Sequence, residues 1–436
     1  MLIDRIDDVT KEVSQIAEEY EIYMAIGKGI ELESEKNKLN FAKEEISEGI
    51  GIRVIKNNRV GFAFTSDFSK IKETTEQALA NTSLNKEDKN IQFAMPEKEV
   101  NVKGIYDENY ENLDIETSID FLNNIIEKAE EKNCEVTSAG FSADEYEKVI
   151  LNSNGVNLSM KKTLFAAGLS VNVIEGTDIS TSYDSISSTK FSNLNGDKLS
   201  SDVCNLALNS LGGENVETND YDVVLDYHAA TGLLSTFISA FSSENVERGR
   251  STLKGKEGTE ITTESLSLFD DGTYEGAIYA RPFDGEGTVS KKTPLIKEGV
   301  LNSFLYDITT GNKVDTESTS NGSRGYTSTP SVAPSNLIFD FNESTNINEI
   351  QKGVVVTSVL GAHTANPITG DFSVEASNAF KIEKGQISKP IKKAMISGNI
   401  FELLKDCQKI ESDTKQYGPF IIPKILVHGL RVIGQN

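Results

Sequence analysis

The stretch 222–257, DVVLDYHAATGLLSTFISAFSSENVERGRSTLKGKE, constrains this chain more than any other. Val223, Val224 and Leu225 predict an apolar strand. Leu233, Leu234, Phe237, Ile238 and Phe241 then recur at helical spacing, which predicts a helix over 227–242 with one apolar face. A polar loop carrying Arg248, Arg250, Lys254 and Lys256 follows. On a metal-dependent hydrolase such a helix can carry two His and a Glu, for the ion and for the general base. Here the polar positions hold Ser235, Thr236 and Ser239, none of them a zinc ligand.

At 436 residues the chain is long enough for two or three domains with a large buried core. Its 43 Lys and Arg stand against 67 Asp and Glu, a net charge of −24. That balance argues against phosphate-mediated nucleic-acid binding, which needs a basic face. Solubility explains the acidity at least as well as a basic partner does. No apolar run approaches about 18 residues, so no membrane span is expected. The start, MLIDRIDDVTKEV, lacks the basic-then-apolar order of a secretory signal, and a cytoplasmic location is the resulting expectation. Cys134, Cys204 and Cys407 form no CxxC pair and read as free thiols, with Cys204 and Cys407 on helices.

Taken in order, residues 2–20 read as an amphipathic helix, followed by strands around an Asn57-Asn58 hairpin turn and a helix capped by Asp67 or Ser69. A connector over 83–112 leads to a second helix, and strands over 135–142, 146–152 and 156–173 follow it. A Ser- and Thr-rich stretch, 180–192, then leads into a helix over 197–211. Helix–strands–helix thus occurs twice. Beyond Ser251 strands and turns dominate, with Glu298-Gly299 and Lys384-Gly385 marking hairpins. The expected architecture is α+β. An N-terminal α/β domain, 1–213, has helices on a mixed sheet and a central subregion from about 113. A β-rich, mostly antiparallel domain, 214–436, contains the helix 227–242.

The 222–257 unit resembles the TldD/PmbA family, in which two related chains pair. In the metallopeptidase (TldD-type) chains an apolar strand leads into a helix bearing HExxxH, then into a basic loop ending in a K-G-x-x-G-like turn. Laid on this sequence, the three motif positions fall on Ser235, Thr236 and Ala240, and the loop on 251–258, STLKGKEG. Further blocks, among them ILNSNGV, FDGEGT, LIKEGVLNSFLYD, SNGSRG and GAHTANPITGD, follow in the family's order over roughly 400 residues, a span that decides against chance because single Gly turns occur everywhere. The resemblance implies an N-terminal α/β domain and a β-rich C-terminal domain. It also implies a third ligand, a Cys near the C-terminus, where this chain has ESDTKQYGPFIIP. A helix that keeps its frame and loses its ligands resembles the PmbA-type (TldE-type) branch, which implies no cofactor on this chain and zinc on a partner chain.

Several residues remain as weak candidates for contacting a peptide or a partner. His228 opens the central helix, and His363 lies in the glycine-bounded loop GAHTANPITGD. Arg248 and Arg250 sit in the basic loop. Asp284 and Glu286 in FDGEGT are spaced for acid–base work, although a turn that leaves both acids in water is the plainer reading. Arg324 in NGSRG, with Ser323 and Arg281, can clamp a carboxylate, although an exposed Arg is commonplace. No GxSxG elbow or P-loop is present.

Three readings of function follow. The first is a metal-free PmbA/TldE-like subunit that pairs with an HExxxH-bearing TldD-like chain and helps cleave unfolded or leader peptides, held in extended form against a sheet edge. The second is a stand-alone homodimer that binds peptides or regulates a target, as the family's gyrase-modulator label suggests. The third is an independent metallopeptidase with an unrecognised site.

Overall fold

The protein is seen here as a computed structural model that describes residues 2–434. α1 (Ile6–Ser14) leads into β1 (Glu19–Glu35), β2 (Lys38–Lys56) and β3 (Arg59–Thr65), and α2 (Ile71–Asn81) follows. α3 (Ile115–Glu130) leads into β4 (Glu135–Asn152), β5 (Asn157–Glu175) and β6 (Asp178–Ser188), followed by α4 (Gly196–Asn209). The twofold element order in the sequence is therefore a repeated unit in space. The two meanders join through β1 and β4 into one sheet, ordered β3-β2-β1-β4-β5-β6. Helices lie on it as expected, but every pair in it is antiparallel, so it is not a mixed sheet. Short turns account for four of its five pairs, all but β1–β4. Lys36-Asn37 and Asn57-Asn58 hold φ of 48°, 62°, 54° and 56°, the left-handed values of two-residue hairpin loops. The Ser- and Thr-rich stretch 180–192 is for the most part the edge strand β6.

All four helices cover one face of this sheet. Val9, Val13, Ile71 and Ala78 pack on Ile22, Met24, Ile50 and Ile52. Leu122, Ile126, Leu199 and Val203 pack on Leu32, Phe141, Phe165 and Val171. Alternation along the strands sends Glu21, Tyr23, Gly27 and Gly29 to the opposite face. That face is covered at one end by loops of the second half and is open elsewhere.

The second half is built on a sheet of 12 strands among the described residues. β7 (Asn219–Leu225) pairs in parallel with Lys352–Leu360 and antiparallel with Phe420–Gly434. Through Asp371–Glu383 and Ala394–Asn399 these strands close a ring, which leaves no free edge within it. α5 (Tyr227–Ile238) follows β7, and its Leu233, Leu234 and Phe237 join Val223, Val354, Val374 and Ile425 in one core. Cys407 opens the strand Cys407–Tyr417, not a helix as expected, since the preceding helix ends at Leu403.

A buried ionic seam joins the halves. Arg53 on β2 lies 3.1 Å from Glu21 on β1 and 3.5 Å from Glu286. Arg324 bonds the same Glu21 oxygen, and its guanidinium stacks 4.8 Å from the centre of the Tyr23 ring. Asp284 accepts N–H groups from Glu286, Thr288 and Gly322 at 2.9, 3.0 and 2.8 Å, and Glu286 accepts the Ile308 N–H at 2.8 Å. Both acids are 1% exposed, so the turn 284–287 does not leave them in water, and Arg324 is not a surface arginine. The loops close over them because Gly322 and Gly285 pack backbone against backbone.

Burial pushes the Asp284 carboxyl up to about 6 and that of Glu286 up to about 8. Arg53 pulls Glu286 the other way and loses, because Glu21 already shares that guanidinium while Asp284 and Asp307 face Glu286 with like charge. At neutral pH Asp284, with three N–H donors, carries the charge and Glu286 the proton. Nearby, the Lys162 ammonium donates to the Ile278 and Ala280 carbonyls at 2.7 and 2.8 Å, and burial brings it down to about 7.

Two expectations follow. A Cβ on Gly51 would lie 2.4 Å from the Tyr326 carbonyl, whereas one on Gly168, on the open part of the same face, meets nothing nearer than 3.9 Å. Gly51→Ala should therefore cost about 1–3 kcal/mol in urea unfolding. Gly168→Ala should stay within about 1 kcal/mol of wild type. The folded-state carboxyl of Glu286 lies above its unfolded value of about 4.3, so its contribution is full below that pH and is lost as pH rises through about 8. Glu286→Gln, which cannot lose a proton, should gain stability relative to wild type between pH 5 and pH 9. A difference that stays constant over that range would refute the assignment.

Candidate functional site

α5 and the turn after it carry Ser235, Thr236 and Ala240, and local chemistry explains the shape of the helix. Asp226 caps it, accepting the Tyr227 N–H at 2.8 Å. The helix ends at Ile238, short of the expected 242, and gives way to a 3-10 turn, Ser239–Phe241, and a short helix, Ser243–Glu247. The cause is side-chain competition for backbone groups: Ser239 Oγ donates to the Thr236 carbonyl at 2.7 Å, and Asn245 Nδ2 to that of Ser239 at 2.8 Å.

Ser235 is exposed and its hydroxyl donates back to the Gly232 carbonyl at 2.7 Å. Thr236 is half-buried. Ala240 is buried in the turn, where its carbonyl accepts the Ser251 hydroxyl at 2.6 Å. A tetrahedral zinc site needs imidazole, thiolate or carboxylate donors, and these three side chains do not fit one. Cys407 is no substitute, since burial, with Asp406 adding to it, pushes its thiol up to about 12. Among the described residues no three His, Cys, Asp or Glu side chains are grouped to hold an ion.

The other candidates fall in separate places. Asp284, Glu286 and Arg324 come together in the ionic seam with Glu21 and Arg53. Arg248 is exposed and lies 3.5 Å from Glu244. Arg250 is exposed, and the loop carrying both is anchored by the buried Leu253. His363 is exposed on the 3-10 turn Ala362–Thr364, which packs over α5 at Gly232.

His228 lies beside a cavity. Its Nε2 is 2.7 Å from Asp184 Oδ1 on β6, and its ring centre is 4.1 Å from that of Tyr417, whose hydroxyl donates to Asp184 at 3.0 Å. Burial tends to raise the Asp184 carboxyl, but the His228 hydrogen bond and charge, with the Ser185 N–H, hold it below the usual range. Burial first, then Asp184, pushes the Tyr417 phenol well up. The cluster borders a cavity of about 270 Å³ between β6, α4 and the start of α5, lined by Tyr183, Asp184, Asp226, Tyr227, Lys415 and Tyr417 among others.

Glu21, Arg53, Asp184 and Tyr417 escaped the sequence reading. Glu21 and Arg53 carried a signal: they share strand parity with Tyr23 and Gly51, opposite to the apolar Ile22 and Ile52. Asp184 lay in a stretch whose Ser and Thr content masked a strand. Among the described residues no helix is long and apolar enough to cross a membrane.

Three family descriptions match in order: PmbA/TldA metallopeptidase domain 1 on residues 20–82, the central domain on 108–211 and the C-terminal domain on 218–434. A protein of Methanocaldococcus jannaschii is 38% identical over 385 residues, covering 88% of this chain and 89% of its own length. The metalloprotease PmbA homolog of Haemophilus influenzae is 26% identical over 406 residues, 88% of this chain and 85% of its own. The crystal structure of TldE from Thermococcus kodakarensis superposes with a TM-score of 0.92 at 25% identity, covering 98% of this chain and 100% of that one. With all three domains matched in sequence and the whole fold shared, the chain belongs to the PmbA/TldD metallopeptidase family.

Proposed function

We propose that this chain is the non-catalytic, PmbA/TldE-like member of a two-chain peptidase, pairing with a related chain that bears HExxxH and holds the zinc. The observation that carries the reading is the state of the three motif positions. Ser235 turns its hydroxyl back onto the helix, Thr236 lends its carbonyl to Ser239, and Ala240 is sealed in a turn. None supplies a donor for an ion or a base for water. The role left to the chain is to bind and present extended peptide, through main-chain contacts that demand little of the sequence. Unfolded segments and leader peptides suit such recognition.

The test is purification of the chain alone and after co-expression with an HExxxH-bearing chain of the same fold. The expected result is a stable complex with stoichiometric zinc that cleaves an unfolded peptide, and an isolated chain with neither zinc nor activity. Stoichiometric zinc on the isolated chain, removed by a chelator together with peptide cleavage, would overturn the proposal. A homodimer that ignores the second chain would favour a stand-alone binding protein instead.

A further inference from the structure

The first sheet has two edge strands, and they are finished differently. At the β3 edge, the outward carbonyls of Val60 and Phe62 are taken by the side-chain amides of Asn85 and Asn81 at 2.8 and 2.9 Å. At the β6 edge one such staple is present among the described residues, from Asn378 Nδ2 to the Thr181 carbonyl at 3.1 Å. β5 and β6 pair without a register shift, so main-chain groups alternate along β6. Since the Thr181 carbonyl faces away from β5, those of Tyr183, Ser185 and Ser187 do too.

Among the described residues the N–H and C=O of Tyr183 and Ser187 have no partner across that edge. The Ser185 N–H turns to the Asp184 carboxylate at 2.7 Å. Tyr183, Ser185 and Ser187 are exposed. The open window ends at Thr189, which is buried with its hydroxyl on the Gly104 carbonyl at 2.6 Å.

A cavity lies on each side of this window. The one of about 270 Å³ at His228 and Tyr417 opens on the helix face, and a groove of about 690 Å³ lies on the open face. Tyr183 and Asp184 border both. An added strand sends alternate side chains to the two faces of a sheet, so here it would send them into the two cavities in turn. The two differ in charge. In the smaller, Asp184, Asp202 and Asp226 are already met by His228, Lys198 and Lys424 at 2.7, 2.8 and 3.9 Å, and Lys415 stacks 4.9 Å from the Tyr227 ring centre. Glu33 and Glu35 line the larger, with no basic residue.

We propose that the β6 edge from Tyr183 to Ser187 takes up a short extended peptide bearing Lys or Arg side chains, by strand addition. The window is too short for a partner's full strand. A second copy of this chain would bring the same carboxylates to the same edge, which like charge disfavours. The inference rests on the peptide-presenting reading above and names the element that would carry it out.

Ser187→Pro tests it. Its N–H points away from the β5 ladder, so proline there removes an outward donor and leaves β6 paired. The probe is a fluorescent, end-blocked heptapeptide of alternating lysine and threonine, offered to the full chain in a polarisation titration. Two further probes carry N-methyl groups on its lysine or on its threonine amides.

Ser187→Pro removes one main-chain hydrogen bond and should weaken binding about fivefold, whereas at least one methylated probe, which loses two, should bind about tenfold more weakly or worse. If the parent peptide binds but is indifferent to the variant and to both methylations, this edge is refuted while peptide presentation stands. No binding of the parent peptide overturns the inference, and the co-expression experiment then judges the broader reading separately. A dimer that Ser187→Pro converts to monomer, without an effect on peptide, assigns the edge to a second copy and also overturns it. Should the variant fail to fold, the methylated probes decide on wild type alone.

Discussion

Two guanidinium groups that share one buried carboxylate hold this molecule in its present form. Arg53 and Arg324 both reach Glu21, which is fully buried, and each comes from a different half of the chain. Burying such charges is costly, and the attraction between them repays the cost only when geometry is good. Aromatic faces help: Arg324 lies over Tyr23 and Arg53 over Phe93, the latter at 5.4 Å from the ring centre, so flat cations replace water with ring electrons. An apolar contact of the same area would tolerate sliding. A shared carboxylate does not, and the seam therefore fixes which loops of the second half meet which strands of the first.

That fixed contact divides one face of the first sheet into two regions with different roles. Where Gly49 and Gly51 leave room, the Tyr326 ring and carbonyl come down onto β2, and the sheet is closed. Further along, Gly140, Gly168 and Ser170 leave the surface low and nothing comes down, so the long strands run on as an open floor. The helices on the opposite face keep this floor rigid, because their apolar sides pack on the inward Ile22, Met24, Leu32, Phe141, Phe165 and Val171 of the strands. Rigid edges and grooves suit the holding of a flexible ligand, since little order has to be created when it binds.

Periodicity made much of this legible in advance. The hairpin at Asn57-Asn58, the turns at Glu298-Gly299 and Lys384-Gly385 and the apolar stripe of α5 all depend on local chemistry, and all are present. What alternation could not reveal is the partner across space. Asp284 and Glu286 read as a wet turn because Gly-rich acidic turns are wet by default, and only the loop 322–326 arriving from elsewhere dries them. The Ser- and Thr-rich stretch of β6 gives no strand reading because it lacks a sustained apolar alternation, yet its neighbour β5 supplies an apolar, strongly alternating strand for it to pair with. Antiparallel pairing throughout the first sheet was also out of reach, since hairpin lengths show that neighbouring strands pair but not that β1 meets β4.

The persistence of α5 has a simple energetic account. Leu233, Leu234, Phe237 and Phe241 are at most 1% exposed, and burial of such side chains contributes on the order of 1.5–3 kcal/mol each. The positions 235 and 236 lie outside that stripe, one exposed and one half-buried. A change of side chain there leaves the buried stripe intact, and the stripe holds the helix in place. Position 240 differs, because it falls in the turn after the helix, where the main-chain carbonyl of Ala240 accepts the Ser251 hydroxyl. Ala240 is 1% exposed, so a larger side chain there would need its neighbours to move. The core thus fixes the helix while the side chains at 235 and 236 stay free to vary, so fold and surface chemistry are separable on this scaffold.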